Sequence, residues 1–234
     1  MTQAIVPFKV SDLDTAVHEA MHAATLIYKT IDNTSDYKRL NAIFDWILYE
    51  ATIVQSENSA GCFRHRSWIG FTEDSNISCS LSGFIGSYNI FGYTNKEQKV
   101  DIKTYIRQAN HLMKFVISKE FNNKHAVRRV YKLWSSDGDF DAAYNYCERD
   151  FNKLMKCMEE IVDLIDHSDV YLEMVQEIAQ GLLEKYTLDR AWLTALARKY
   201  QERIILESQM RNNIVCVSLG DPYPSYSYFR VRES

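Results

Sequence analysis

Apolar residues recur along most of the chain at three- and four-residue steps, the period of a helix with one buried face. From Ser11 to about Lys29, Leu13, Val17, Met21, Ala24 and Ile27 or Tyr28 follow a Ser-Asp start, which predicts an amphipathic helix with an N-cap. "SDYKRLNAIFDWILYE" carries a second stripe, Tyr37, Leu40, Phe44, Ile47 and Leu48, and the two helices are expected to form an antiparallel hairpin. The period then changes. "ATIVQ" and "GCFRHRSWIGFT" are short and rich in β-branched and aromatic residues, with a Glu-Asn-Ser-Ala-Gly break between them, and read as short strands.

Helical spacing resumes in "SLSGFIGSYNIFGYT", a short helix expected to end near Gly92, and in "KVDIKTYIRQANHLMKFVISKEF" with Ile102, Ile106, Ala109, Met113 and Val116. "SSDGDFD" reads as a loop leading into a long helix from Ala142 to about Asp166. Further helices are predicted from Val170 to Lys185 and over "LDRAWLTALARKYQERIILES". Residues 211–234 hold two of the three prolines and read as an extended tail, with Ile214 to Leu219 as a candidate edge strand. The expectation is a mainly α domain over residues 1–210 followed by that tail.

Composition narrows the partners. With 27 basic and 31 acidic residues and a net charge of −4, the chain has no electrostatic footprint for nucleic acid or an anionic membrane surface. The start "MTQAIVPFKV" lacks the basic and apolar regions of a signal peptide. No run reaches the ~18 apolar residues of a membrane span, so a cytoplasmic protein is expected. Cys62, Cys79, Cys147, Cys157 and Cys216 are scattered and include no C-x-x-C, which points to reduced packing residues rather than disulfides or a thiolate metal site.

The chemistry sits in "HEAMHA". His18 and His22 are four residues apart on the first predicted helix, so both imidazoles project from one face and can reach one Zn²⁺ at ~2.0–2.1 Å. Glu19 lies about 100° round the helix from His18, placed to take a proton from a water at the metal but not to replace a histidine. Small residues Ala20, Ala23 and Ala24 let another element approach closely. A catalytic zinc site needs a third protein ligand. Glu50, 28 residues past His22, and Asp101, at the start of a helix, are the main candidates, with Asp45 on the same helical pattern as Glu50. His65, His111, His125 and His167 have no partner at ligand spacing and read as surface or packing residues.

"HEAMHA" resembles the H-E-A-G-H-A zinc motif of the peptidase domain of FtsH-type metalloproteases, the M41 family, with Met21 in place of the glycine. "ATIVQSENSAGCF" is similar to that family's cleft strand, T-I-x-P-x-x-x-x-L-G-Y. "LSGFIGSYNIFGYTNKEQKVDIKTYIRQANHLM" resembles L-x-G-x-x-A-E-x-x-x-F-G followed by the aspartate-bearing helix D-[LI]-x-x-A-x-x-x-A-x-x-[LM]. "VQEIAQGLLEKYTLDRAWL" resembles the closing L-A-x-x-L-L-x-x-x-T-L-x. The resemblance covers most of residues 12 to 193. It departs in the missing cleft proline and in Gly86-Ser87, which replace the alanine-glutamate pair.

The resemblance implies a helical metallopeptidase domain with a small β element near the zinc site, held by His18, His22 and Asp101 with Glu19 as general base. It also implies an extended polypeptide substrate aligned along Ile53, Val54, Gly61 and Phe63. No counterpart of the family's ATPase module or transmembrane segments is found, so a free-standing domain is expected, with an ATPase or adaptor partner and a homo-oligomer left open. Two other readings stand beside the enzyme: a catalytically silent zinc-binding interaction or regulatory module, and another type of zincin with Glu50 as third ligand.

Overall fold

The computed structural model describes residues 10–34, 37–54, 61–66, 72–86, 101–120, 134 and 137–218. Helix α1 (Val10–Asp32) is its centre. From Ala16 to Ile31 nearly every position is buried, including Val17, Ala20, Met21, Ala23, Ala24, Leu26, Ile27 and Tyr28. A helix apolar on all sides is stable only when surrounded. Here α3 (Glu73–Gly86), α7 (Asp169–Lys185), α8 (Arg190–Ser218) and a small sheet pack around it. Its alanines allow the close approach that the sequence suggested.

The predicted helix hairpin does not form. The second stripe becomes a 3₁₀ turn, Tyr37–Arg39, and α2 (Leu40–Ile47), which packs on α8 and buries Leu40, Phe44 and Ile47. The chain turns extended at Leu48, because β1 (Leu48–Thr52) has strand partners on both sides. The first strand therefore starts before the predicted "ATIVQ". Its partners are β2 (Cys62–His65), as expected, and β3 (Thr187–Asp189), which lies inside a stretch that looked helical. The sheet is antiparallel in the order β2-β1-β3, with Ala51 opposite both Phe63 and Leu188, and with a register shift between Leu48 and Glu50. The face carrying Leu48, Ala51 and Leu188 is buried, and Glu50 pairs with Arg64 at 3.0 Å.

Helix α3 begins at Glu73, where the Thr72 hydroxyl accepts from the Ser75 amide; the expected end near Gly92 lies outside the described residues. Helix α4 (Ile102–Glu120) forms as predicted. The single long helix expected after residue 142 is two: α5 (Gly138–Tyr146) and α6 (Phe151–His167). Glu148 and Arg149 between them have positive φ, and Asp150 caps α6 by accepting from the Asn152 and Lys153 amides. "SSDGDFD" is not a simple loop, because Asp137 caps α5 by accepting from Asp139 N and Phe140 N. At the far end α8 runs to Ser218, so residues 211–218 are helical rather than an extended tail or edge strand, and 219–234 lie outside the described residues.

Among the described residues the molecule is mainly helical, with eight α-helices, and no helix is long and apolar enough to cross a membrane. Cys62, Cys79, Cys147 and Cys157 are free thiols. Burial pushes the Cys147 and Cys157 thiols up to about 12 and about 11, as befits packing residues.

Candidate metal centre

Helix α1 places His18 and His22 on one face, one turn apart, as the spacing predicted. Their Nε2 atoms lie 3.2 Å from each other. The third group is Asp139, whose Oδ2 is 2.9 Å from His18 Nε2 and 3.3 Å from His22 Nε2. Ligands held tetrahedrally at ~2.0–2.1 Å from a metal stand about 3.4 Å apart, so this triangle is close to the size a zinc-like cation requires. His18, His22 and Asp139 are the one group of metal-ligating side chains found among the described residues. Two imidazoles and a carboxylate leave one tetrahedral position open.

Helix α3 orients the second histidine. The Cys79 carbonyl accepts from His22 Nδ1 at 2.6 Å, which leaves Nε2 as the atom turned toward the cluster. Gly83, one turn further along α3, packs face-on against the same ring: a Cβ there would lie 2.2 Å from His22 Nε2. The glycine of "LSGFIG" is thus required by the imidazole it borders. The same helix supports α5 through an aromatic cluster in which Phe140 packs on Phe84 and Trp134, with centroids 5.2 and 5.6 Å away. Phe140 is fully buried and adjoins Asp139, so the anchor of α5 also sets the height of the carboxylate.

Electrostatics within the cluster follow from its geometry. Burial raises the Asp139 carboxyl, but hydrogen bonds and charge from His18 and His22 outweigh it and hold the group far below the usual range. Burial lowers His22, yet Asp139 and the Cys79 side chain more than compensate, so its proton is held well above the ordinary histidine range. Beside Asp139 the protonated form of His22 is thus favoured.

Glu19 is only 4 % exposed, and burial raises its pKa against the opposing pull of His22 and His18. Its carboxylate accepts from the Phe63 amide of β2, and Gly61 is so close that a Cβ there would lie 2.8 Å from Glu19 Oε1. A carboxylate beside the cluster, poorly hydrated and turned toward the edge strand, is placed to exchange protons there.

The residues anticipated from sequence divide clearly. His18, His22 and Glu19 come together, and Gly61 and Phe63 border Glu19. Ile53 and Val54 do not join them: the Ile53 amide donates to the Tyr186 carbonyl at 2.9 Å within the sheet, and Val54 is exposed beyond the strand. Asp101, expected as third ligand, does not join the histidines; Asp139 does. Asp101 is exposed and caps α4, its Oδ1 accepting from Thr104 N at 3.0 Å and Oδ2 from Thr104 Oγ1 at 2.6 Å. Those bonds hold its carboxyl below the usual range.

The other acidic candidates are engaged elsewhere, Glu50 with Arg64 and Asp45 with Arg198 at 3.2 Å. His65, His111 and His167 are exposed and outside the cluster, and His125 lies outside the described residues. Asp139 lies in "SSDGDFD", a segment whose sequence has the composition of a loop. One signal was available: it is followed four residues later by Ala143, the small residue of the D-[LI]-x-x-A form, where Asp101 is followed by Tyr105. Ala143 is fully buried, on a helix packed against α3.

The chain matches no family model and no curated protein.

Proposed function

We propose that this protein is a zinc-dependent metallopeptidase, similar in its site to the M41 peptidase domain, that hydrolyses unstructured polypeptides. The observation that carries the reading is the convergence of His18, His22 and Asp139 at 2.9–3.3 Å with a buried Glu19 beside them. The donor set, two imidazoles and one carboxylate, suits Zn²⁺. Bound there, the ion would polarise a scissile carbonyl and make a water acidic enough to attack it near neutral pH. Glu19 takes that proton and passes it to the leaving amine, a role favoured by its raised pKa. The Phe63 amide keeps the carboxylate aimed, and Gly61 leaves it room. A metal held only for stability has no use for a buried carboxylate coupled to its ligands, whose desolvation is costly.

The substrate is an extended chain laid along the edge of β2 that no strand pairs with among the described residues, since strand addition supplies backbone hydrogen bonds at a sheet edge. Nothing in the described fold could pull a stable domain apart, so folded substrates would need an unfolding partner. The test is metal content and peptide hydrolysis of the wild type beside Glu19→Gln. Stoichiometric zinc in both, with hydrolysis of casein-like chains reduced roughly 10²–10⁴-fold in the variant, is the expected result. Zinc without any cleavage by the wild type would leave a metal-binding module, and equal cleavage by both proteins would place the activity elsewhere.

A further inference from the structure

On the sheet side of the molecule four side chains form a continuous stack. The Arg66 guanidinium lies over Trp46 at 5.6 Å and over Tyr49 at 4.9 Å, and Arg190 covers the Tyr49 ring at 4.4 Å. Tyr49 occupies the register shift of β1, which frees it from regular strand pairing. Both arginines are also tethered through the main chain: the Arg66 amide donates to the Ile47 carbonyl at 2.8 Å, and Arg190 Nε donates to the Leu48 carbonyl at 3.0 Å. Neither guanidinium has a carboxylate partner among the described residues. The neighbouring acids are already used, Glu50 by Arg64, Asp45 by Arg198 and Asp189 by the Trp192 amide. Arg66 and Arg190 are exposed, and Trp46 is 46 % exposed.

Two guanidinium groups held by stacking, with no carboxylate partner among the described residues, form a preorganised receptor for a carboxylate. Arg66 directly follows β2, three residues beyond the Phe63 amide that holds Glu19, a distance of roughly 10 Å along an extended chain. The geometry points to this stack as a docking site for an acidic segment of the polypeptide that lies along β2. An aspartate or glutamate about three residues from the bond presented to the metal centre meets Arg66, with Trp46 and Tyr49 covering its aliphatic stem. The placement relative to the scissile bond rests on the peptidase reading; recognition of the acid does not.

The experiment measures binding by fluorescence anisotropy to the full-length chain carrying Glu19→Gln, so that no bound peptide is cut. The probes are a labelled unstructured peptide with two adjacent glutamates and its glutamine counterpart. The acidic peptide should bind about tenfold more tightly, with the preference falling as salt is raised. Arg66→Gln and Arg190→Gln should each abolish most of the preference while circular dichroism stays unchanged, and Arg66→Lys should restore only part, because an ammonium lacks the planar fork.

Equal binding of both peptides, or a preference that survives Arg66→Gln and Arg190→Gln, singly or combined, overturns the proposal. So does equally tight capture, through the same arginines, of a single-stranded oligonucleotide of the same length. Failure of the peptidase reading would appear differently, as absent hydrolysis by the wild type with the acidic preference intact.

Discussion

At the residue scale, the third ligand is the sharpest distinction between sequence and structure. Asp101 and Asp139 both open helices, and both follow the histidines in the chain, but only Asp139 lies within ligand distance of them. Asp139→Asn should therefore lower zinc affinity by more than roughly tenfold, since an amide oxygen carries no charge to match the cation. Asp101→Asn should leave zinc binding unchanged and act only on the first turn of α4. Isothermal titration of the two variants separates them, and the reverse ranking would restore the ligand set that the motif resemblance implied. Gly83 is a second residue-scale test. Gly83→Ala brings a methyl group against the His22 ring, so either the imidazole or α3 must move. A loss of about 1–3 kcal/mol in stability and a marked loss of zinc affinity are expected, measured by urea denaturation and metal titration.

At the scale of elements, long periodic helices were legible, and the pieces that depend on distant partners were not. The centre of α1, the whole of α4 and the α7 helix follow from three- and four-residue spacing, and α1 carries with it two members of the candidate metal cluster and the carboxylate beside it. β1 was shifted because "WILYEAT" suits a helix until β2 and β3 offer it two strand partners. β3, three residues long, has no periodicity of its own to detect. The α5 helix is hard to read for a local reason: Asp137, Gly138 and Asp139 are loop-forming residues in isolation, and here the first is a cap and the third a member of the candidate metal cluster. That cap carries a prediction. Asp137→Ala removes an acceptor for two amides, which should cost about 1 kcal/mol and loosen the turn that holds Asp139. Zinc affinity should fall with it, although the substituted side chain is not itself a ligand; unchanged affinity in a destabilised protein would show that Phe140 alone positions the carboxylate.

At the scale of the whole molecule, a metal held by the cluster would compete with protons for it, and folding stability would report the competition. His22 has a folded pKa raised above its unfolded value, so in the metal-free protein its contribution is complete below about pH 6.5 and is lost as pH rises through the folded value. Glu19, also raised, acts in the same direction: its protonated form is favoured by burial, and its contribution is lost as pH rises through its folded pKa. Asp139 is depressed, so its contribution is present above about pH 4 and is lost as pH falls through its folded value. Metal-free protein should therefore be most stable between about pH 4 and 6 and weaken toward pH 8, as far as these three groups decide. Zinc bound by these side chains should reverse the trend, because it can bind only after the His22 proton has left. At a zinc concentration near 100 times the dissociation constant at pH 8, binding adds about 2.7 kcal/mol, or roughly 5–10 °C in Tm for a chain of this size. The same zinc concentration at pH 5 should shift Tm by less than about 2 °C, since protons hold the ligands. Differential scanning calorimetry with zinc and with a chelator, across pH 5 to 8, measures both slopes. A zinc-induced shift that stays constant over that range would mean the stabilising ion sits somewhere other than on His18, His22 and Asp139.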